Sequence, residues 1–463
     1  MTTIQEKANN LFHNSEILAP MVRASTTPLR LLALSYGADL VYTEEIIDRA
    51  ITSTDRIVNN ELNTIDYVKK MDLFSPKVQR RMKKNGETLP VVLRIAPHIE
   101  AGKLIYQIGT GESNLALPAA TMVANDVDGI DINMGCPKKF SVSGGMGSAL
   151  LSDLPRACDI VKTLRRNLNI PVSCKIRLLE NESKTLEFIQ GLVNAGANAI
   201  TIHGRMVGDE STNPARLERL VETVRLVKST GGINVPIIIN GDLYTRNDMV
   251  NLKSQSGADG VMLARPALYN TSIFCKPQNH NCSNKRDAAE EKETRYGYNS
   301  PLLHSKTRVI QEYLTYAQKY KAHYKNVKYV VCEMISNRRT PAVLTPFMPQ
   351  AYPGNQNIDL VCKCKSSDEL CKLWDVQKSL AASTTATAAP ISTTQQHDNE
   401  ITLHRYDDRY FLDPDALRKE RQQEEEKDKE NCNKMVINDS IHIEEDIPQH
   451  DGNKKEAKKA RLK

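Results

Sequence analysis

The sequence predicts an α/β fold: a (β/α)₈ TIM barrel with its functional site at the C-terminal mouth, a small helical domain and a disordered tail. Short apolar, β-branched runs recur between residues 15 and 270, and helical patterns separate them. Strands that alternate with helices predict a parallel sheet covered on both faces, and eight of them in about 250 residues fit a barrel. An open doubly wound sheet is the alternative, but 109–114 lacks the third glycine of a dinucleotide-binding fingerprint.

Eight runs carry the strand prediction, and a ninth run does not fit the barrel. The eight are 16–22, 39–44, 103–109, 129–135, 171–177, 199–204, 236–242 and 260–264. Between them, helical spacing of apolar residues is clearest at 151–167, 183–195 and 215–229. The ninth run, 90–95, is predicted to pair with 103–109 as a hairpin that decorates the barrel.

Composition restricts the class of protein. Of the 463 residues, 40% are hydrophobic and 25% charged, which is typical of a globular protein. No stretch approaches the roughly 18 apolar residues of a membrane span. The polar N-terminus lacks the apolar segment of a secretory signal, so we expect a cytoplasmic protein whose ten cysteines are reduced. The net charge of +6 permits a polyanionic partner without requiring one.

The chain divides into four predicted segments. Residues 1–270 form the catalytic barrel, 271–304 a polar insert, 305–380 a helical domain, and 381–463 an uncharged linker followed by a charged, disordered tail. The last ten residues, Lys454–Lys463, hold six basic side chains and one acidic side chain. They are a nuclear signal, a weak RNA contact or, more simply, an exposed charge run.

The predicted helical domain is rich in tyrosine and lysine at helical spacing. One interpretation is an amphipathic helix pair whose tyrosines pack inside. The other adds that the lysines on the opposite face contact phosphate groups. The lysines concerned are Lys319, Lys321, Lys325 and Lys328.

Polar residues follow most predicted strands, at the end where a barrel has its active site. Lys175 and Arg177 are two residues apart, so they share one face of a strand and favour an anionic or carbonyl-rich ligand. Solvated strand-end charges are the alternative. His203 ends another strand, where it is either a site residue or a core histidine with its hydrogen bonds satisfied.

The last two predicted strands indicate a phosphate site. Asn240-Gly241-Asp242 follows one strand and Ala264-Arg265 the other. The first could be a simple turn. Together they offer backbone N–H groups and a guanidinium at the last two loops, where barrels hold phosphate.

Cys136 is the strongest single candidate for chemistry. It follows the strand at 129–135 and is followed, after a proline, by Lys138 and Lys139. A thiol with the ordinary pKa of about 8.5 is protonated at neutral pH and can donate a proton. The lysines are expected to favour the thiolate that remains, and the glycines of 144–147 to let the loop close over a substrate. A buried structural cysteine is the alternative.

These motifs, in this order, resemble the tRNA-dihydrouridine synthase family. The resemblance spans 15–270 and, more loosely, 305–375; segments 19–32 and 42–47 are most similar to the eukaryotic branch that modifies uridine 20 of tRNA. The motifs that carry it are Ala19-Pro20-Met21, Asp131-Ile132-Asn133-Met134-Gly135-Cys136-Pro137, Lys175-Ile176-Arg177, His203-Gly204-Arg205, Asn240-Gly241-Asp242 and Ala264-Arg265.

The resemblance implies an FMN-containing barrel that uses NADPH to reduce the C5–C6 double bond of specific uridines in tRNA. It implies that FMN lies across the barrel mouth and that Cys136 is the general acid that protonates C5. The implied FMN contacts are Pro20, Met21, Val22, Gln107, Lys175 and His203 for the ring and ribityl parts, and Asn240, Gly241, Asp242, Ala264 and Arg265 for the phosphate end. The implied substrate contacts are Asn133, Lys138, Arg177 and Arg205.

One departure from the family concerns RNA binding. Animal members of this branch carry a double-stranded-RNA-binding domain after the helical domain, and here that region is the linker and charged tail. We expect a monomer that binds tRNA and NADPH, with no metal and no membrane. Two other hypotheses stay open: an FMN barrel that acts on a small molecule, similar to dihydroorotate dehydrogenases, and a catalytically silent RNA-binding homologue.

Overall fold

The computed structural model describes residues 2–86, 88–210, 212–276, 304, 306–335 and 358–376. Its twelve strands, in chain order, are β1 Glu16–Leu18, β2 Leu40–Tyr42, β3 Ile46–Ile47, β4 Thr54–Asn59, β5 Thr64–Lys69, β6 Val91–Ile95, β7 Leu104–Gly109, β8 Gly129–Asn133, β9 Val172–Arg177, β10 Ala199–His203, β11 Ile237–Asn240 and β12 Gly260–Leu263. The predicted polar insert beyond 276 and the linker and tail lie outside the described residues, apart from His304.

Helices alternate with these strands as the sequence predicts. In chain order they are α1 Ile4–Phe12, α2 Thr27–Ser35, α3 Asp48–Thr52, α4 Pro76–Asn85, α5 Pro97–Glu100, α6 Ser113–Val123, α7 Lys139–Ser143, α8 Leu154–Asn167, α9 Glu182–Asn194, α10 Leu217–Ser229, α11 Arg246–Ser256, α12 Arg265–Tyr269, α13 Lys306–Lys319, α14 Tyr324–Ile335, α15 Ile358–Lys363 and α16 Ser367–Leu373. Within the described ranges, none of them is long and apolar enough to cross a membrane.

The predicted barrel is confirmed. Eight strands run parallel in the order β2-β1-β12-β11-β10-β9-β8-β7, and a further pairing between β2 and β7 closes the sheet on itself. The short strand β3 continues the line of β2 and pairs with the end of β7, where Ile46 stands opposite Ile108. Each of the eight predicted strands is present, slightly shorter than its apolar run because the strand ends where polar loop residues begin.

The predicted hairpin is wrong. Val91–Ile95 pairs antiparallel with β5, not with β7, in a separate sheet of order β4-β5-β6. The physical reason is that β7 is already paired with β2 and β8 and has no free edge. The true partner of β6 is β5, which in turn pairs with the largely exposed strand β4. Both strands carry polar residues and no continuous apolar run, so the sequence prediction did not include them.

Two apolar layers hold the barrel together. The lumen is filled by side chains that include Ile17, Leu40, Tyr42, Ile238 and Met262. A second, continuous layer packs the outer faces of the strands against the helices. A filled lumen leaves the strand ends as the place where a ligand can bind.

The helices α13–α16 pack on the barrel rather than beside it. Tyr36, which follows α2, donates a hydrogen bond to Glu312 of α13 at 2.7 Å. Trp374, after α16, is fully buried and belongs to the same apolar layer as the barrel helices. The described part of the predicted helical domain is therefore fixed to the side of the barrel that carries α2.

A buried ion pair joins α2 to the side sheet. Arg30 Nε donates to Glu100 Oε1 at 2.6 Å, and the two side chains are 2% and 0% exposed. The guanidinium also donates to the backbone oxygens of Ser25 at 2.9 Å and Arg94 at 2.7 Å, and Glu100 accepts from the N–H of Ala96 at 2.7 Å. Every strong polar atom of the pair is thus satisfied, as a buried ion pair requires.

We expect Glu100→Gln to lower the free energy of unfolding by about 3–5 kcal/mol, because it leaves the Arg30 charge buried without its partner. Urea denaturation followed by circular dichroism measures the effect. The double variant Arg30→Met with Glu100→Met is the control, since it removes both charges and should be less destabilised than the sum of the single changes. A loss below about 1 kcal/mol for Glu100→Gln would contradict the role given to the pair.

Candidate active site

The carboxyl ends of the barrel strands bring the predicted site residues to one mouth. In the register of the sheet, Asn133 of β8 stands opposite Lys175 of β9. On the other side of β9, His203 stands opposite Arg177, and it also stands opposite Asn240 of β11. Neighbouring strands are about 4.8 Å apart, so one ligand across the mouth can reach all of them.

A buried carboxylate lies beneath Lys175. Asp131 accepts hydrogen bonds from Gln107 Nε2 and Ser173 Oγ, each at 2.7 Å. Burial raises the pKa of Asp131 to about 6, against the opposing effects of these donors and Lys175. Burial also lowers the pKa of Lys175 to about 8, with the charge of Arg177 acting in the same direction. Gln107, predicted to contact FMN, has its amide N–H directed at Asp131.

Positive charge surrounds His203. Its Nδ1 accepts the backbone N–H of Arg205 at 3.1 Å, which places the proton of the neutral ring on Nε2. Burial lowers the pKa of His203 well below its ordinary value, and four neighbouring cations add to the effect; they are Lys175, Arg177, Arg205 and Arg265. The mouth therefore holds a neutral histidine among cations, an environment that suits an anionic ligand.

Asp242 holds two of these cations. Its carboxylate accepts from Arg205 Nη2 at 2.7 Å and from Arg265 Nη2 at 2.5 Å, and also from the N–H of Ala215 at 2.7 Å. Two guanidiniums on one carboxylate leave an excess of positive charge at the ends of β10, β11 and β12, where the sequence predicts the phosphate. The donor chemistry of this corner fits the phosphate group of FMN.

Arg205, a predicted substrate contact, is engaged inside the protein. It is 4% exposed, and its Nε donates to the backbone oxygen of Asn213 at 2.7 Å. With Asp242 it forms an ion pair that joins two strand-end loops. Its side chain therefore positions Asp242, and the substrate contact stays a prediction.

The loop that carries Cys136 is held by two other predicted residues. Asn133 Oδ1 accepts the backbone N–H groups of Gly135 at 2.9 Å and Cys136 at 3.1 Å. Arg177 Nε donates to the backbone oxygen of Gly135 at 2.7 Å, and its Nη1 to that of Met206 at 2.8 Å. Both side chains thus fix the position of the thiol, whether or not they also contact a substrate.

The glycines of the loop allow close packing. Gly147 has φ +57°, and a Cβ there would lie 2.6 Å from the backbone oxygen of Cys136. A Cβ on Gly111 would lie 2.8 Å from the backbone oxygen of Gly145. Gly147 thus combines a positive φ with a close contact, and Gly111 has a close contact alone. Only glycine accommodates these arrangements without strain.

Glu45 is a site residue that sequence reasoning missed. It lies between β2 and β3, beside the side chains of Asn133 and Cys136. Its Oε1 is buried with no hydrogen-bond partner in the described structure. A Cβ on Gly109 would stand 2.7 Å from that oxygen, so the glycine makes room for the carboxyl group. Burial raises the pKa of Glu45 above its ordinary value.

The thiol of Cys136 is held in its protonated form. Burial raises its pKa, and the negative charge of Glu45 acts in the same direction. The predicted influence of the flanking lysines is smaller than expected: the backbone of Lys138 and the side chain of Ser141 lower the pKa of Cys136, while the side chains of Lys138 and Lys139 are exposed. A protonated thiol is suited to donate a proton rather than to attack as a nucleophile.

The remaining predicted residues line the mouth from β1, β11 and β12. The loop of Pro20, Met21 and Val22 is fixed by Ser25, whose Oγ accepts the N–H of Met21 at 3.1 Å; Val22 is half exposed. Asn240 Nδ2 donates to the backbone oxygen of Met262 at 2.8 Å. Gly241 is buried and Ala264 half-buried.

A closed (β/α)₈ barrel with a protonated thiol, buried carboxyl groups and a cationic corner at its mouth defines an enzyme of the barrel class. Comparison with known proteins names the family. The model of the dihydrouridine synthase (Dus) family matches residues 17–342. The chain therefore belongs to the dihydrouridine synthase family.

Three relatives from two fungi are similar to more than half of the chain. The tRNA-dihydrouridine(20) synthase [NAD(P)+] of Saccharomyces cerevisiae is 34% identical over 329 residues, 70% of this chain and 77% of the relative. That of Schizosaccharomyces pombe is 40% identical over 270 residues, 57% of this chain and 52% of the relative, so the match spans about half of that protein. A tRNA-dihydrouridine(20a/20b) synthase of Saccharomyces cerevisiae is 30% identical over 56% of this chain and 61% of its own length.

We expect Glu45→Gln to lower the pKa of Cys136, because the substitution removes the negative charge that disfavours the thiolate. The alkylation of Cys136 by iodoacetamide is followed by peptide mass spectrometry at a series of pH values. In the Glu45→Gln variant, the alkylation rate should begin to rise at a lower pH than in the protein without the substitution. Glu44→Gln is the matched control, since Glu44 is directed at the backbone N–H of Arg23 at 2.6 Å. An equal pH midpoint of alkylation in the Glu45→Gln and Glu44→Gln variants would exclude the interaction between Glu45 and Cys136.

Proposed function

We propose that this protein reduces the C5–C6 double bond of a uridine in tRNA, position 20, to dihydrouridine, with FMN as cofactor and NADPH as reductant. The observation that carries the proposal is the half-buried, protonated thiol of Cys136 beside Glu45 at the mouth of a dihydrouridine synthase barrel. A thiol in this state can supply the one proton that the reduction needs besides a hydride.

The mouth offers a consistent place for FMN. The phosphate group would be held by Arg265 with the backbone around Gly241 and Ala264, and Asp242 would keep the guanidinium in position. Lys175 and the neutral His203 would lie against the ring and ribityl parts, together with the loop of 20–22. When bound, FMN would supply the hydride that reaches C6 of the uracil.

The protein's own residues complete the reaction with a proton. The S–H bond of Cys136 breaks, its proton goes to C5 of the uracil, and a thiolate remains. The charges of Lys175 and Arg177 interact favourably with that thiolate. Asn133 and Arg177 hold the backbone around Cys136, so the sulfur keeps its position during the transfer.

The substrate must be presented as a single base. A uridine inside folded tRNA is stacked, so it has to turn out of the stack to enter the mouth. Asn133 and Arg177 are the proposed contacts for the uracil. The exposed Lys138, next to the thiol, is the proposed contact for a nearby phosphate.

We expect Cys136→Ala to keep its FMN and its oxidation of NADPH but to form dihydrouridine about 10²–10⁴-fold more slowly, the usual cost of losing a general acid. Purified protein is incubated with unmodified tRNA, and dihydrouridine is measured by mass spectrometry. Cys158→Ala, which removes a half-buried thiol from α8, is the control.

The same assay separates the competing functions. Unchanged turnover of tRNA by Cys136→Ala would reject the thiol as acid. Protein that binds flavin and oxidises NADPH but leaves every tRNA unreduced would favour a small-molecule oxidoreductase. Protein without flavin that still binds tRNA would favour a silent homologue.

We expect Arg265→Ala to lose FMN during gel filtration, because the phosphate would then lack its direct charge partner. The ratio of absorbance at flavin and protein wavelengths measures retention. Arg225→Ala, which removes an exposed guanidinium from α10, should keep its flavin. A full complement of flavin in Arg265→Ala would place the phosphate elsewhere in the mouth.

A further inference from the structure

The connection between β5 and β6 of the side sheet is longer than the pairing of these two strands requires. Residues 70–90 join β5 to β6, which are antiparallel neighbours. Such neighbours are commonly joined by a loop of about two to five residues. Here the connection contains α4, which is capped by Ser75 at its start. Gly86 caps its end, with a φ of +62° in the left-handed region.

Positive charge is concentrated in this connection. Residues 70–90 contain six cationic side chains and two carboxylates, those of Asp72 and Glu87. The connection thus carries +4, against a net charge of +6 for the whole 463-residue chain.

The helix presents these cations in a line. Lys77, Arg80, Arg81 and Lys84 follow the spacing i, i+3, i+4, i+7, so they share one face about 10 Å long. Met82 is the one buried side chain of α4 and lies on the other side of the helix. All the basic residues of α4 are exposed, and within the described ranges no carboxylate forms an ion pair with Lys77, Arg80 or Lys84.

The lysines predicted to bind RNA are largely engaged within the protein. Lys328 Nζ donates to the backbone oxygens of Cys362 at 2.5 Å and Cys364 at 3.0 Å. Lys321 pairs with Glu61 at 2.5 Å, and Lys319 lies 5.3 Å from the ring centroid of Tyr320. Of the four, Lys325 is exposed without such a side-chain contact. Lys328 thus links α14 to the end of α15, and Lys319 and Lys321 already have partners at the surface.

The cationic face is separate from the mouth, because α4 belongs to the connection of the side sheet and supplies none of the strand-end residues. The side sheet meets α2 at Arg94, where Thr27 Oγ1 donates to the Arg94 backbone oxygen at 2.7 Å. Arg94 stands opposite Asp66, and β5 continues from there to Lys69 for about 10 Å before the connection begins. A ligand that touches both α4 and the mouth must therefore contact two separate parts of the chain.

We propose that the cationic face of α4, residues Lys77, Arg80, Arg81 and Lys84, docks on the phosphate backbone of the tRNA whose uridine enters the barrel mouth. This inference rests on the proposed function. A folded RNA is a polyanion long enough to span the two places, and phosphates are the groups that exposed lysine and arginine side chains contact without reading sequence. The surface would add affinity to the contacts made at the mouth.

The test compares two matched charge reversals in the full chain. Arg80→Glu with Lys84→Glu changes an i, i+4 pair on α4, and Lys162→Glu with Arg166→Glu changes an exposed i, i+4 pair on α8. Binding of unmodified tRNA is measured across a salt series, together with flavin content and NADPH oxidation. The α4 variant should bind at least tenfold more weakly, with a log–log salt slope smaller by about 1.4 to 1.8, while flavin and NADPH oxidation stay unchanged.

Each outcome decides the proposal. The proposal is overturned if the α4 variant binds tRNA with unchanged affinity and salt slope. It is also overturned if the α8 variant loses as much affinity as the α4 variant. An α4 face that binds another protein instead of tRNA would give unchanged affinity and slope. Loss of flavin from the α4 variant would signal misfolding. The milder variant Arg80→Gln with Lys84→Gln then replaces it in the binding measurement, and it should show part of the same decrease in the salt slope of tRNA binding. If the unmodified protein neither binds nor reduces tRNA, the proposed function fails. If it does both and the α4 variant behaves the same, only the docking surface fails.

Discussion

Burial of positive charge at the barrel mouth is the constraint on which the rest of the site depends. Four cations lie around His203, and the carboxylates of Asp131 and Asp242 balance them only in part. Removing cations from water is costly unless they are paired. The strand ends therefore hold those two carboxylates in place through hydrogen bonds. The remaining positive charge favours the binding of an anionic ligand.

The same desolvation sets the state of the thiol. In water a cysteine beside cations would move towards the thiolate, yet burial and the facing Glu45 carboxyl raise the pKa of Cys136. In the proposed reaction, Lys175 and Arg177 would face a thiolate only after the proton has left. The proposed site would thus keep the acid protonated before transfer and stabilise its conjugate base afterwards, which is the requirement for general-acid catalysis.

Local pattern was enough to predict the barrel and most of the mouth. Parallel strands end at one edge and side chains alternate along them, so residues such as Lys175 and Arg177 could be placed together without knowing any contact. Glu45 could not be found this way, because it lies in a break between two short strands and its neighbours are distant in sequence. The prediction for β6 failed for a related reason: its true partner, β5, carries polar residues such as Asp66 even at buried positions, so its sequence does not show the apolar run of a strand.

The two concentrations of positive charge obey different physics. Cations inside the mouth are shielded from water and ions, so salt screens them little, and a bound anion meets them at close range. Those on α4 are solvated, and at about 0.1 M salt their field fades within about 10 Å. They can act only on phosphates in direct contact, several at a time, with the release of counterions. A small anionic cofactor and a long nucleic acid would thus be bound by separate surfaces of one chain, the first nearly independent of salt and the second strongly dependent on it.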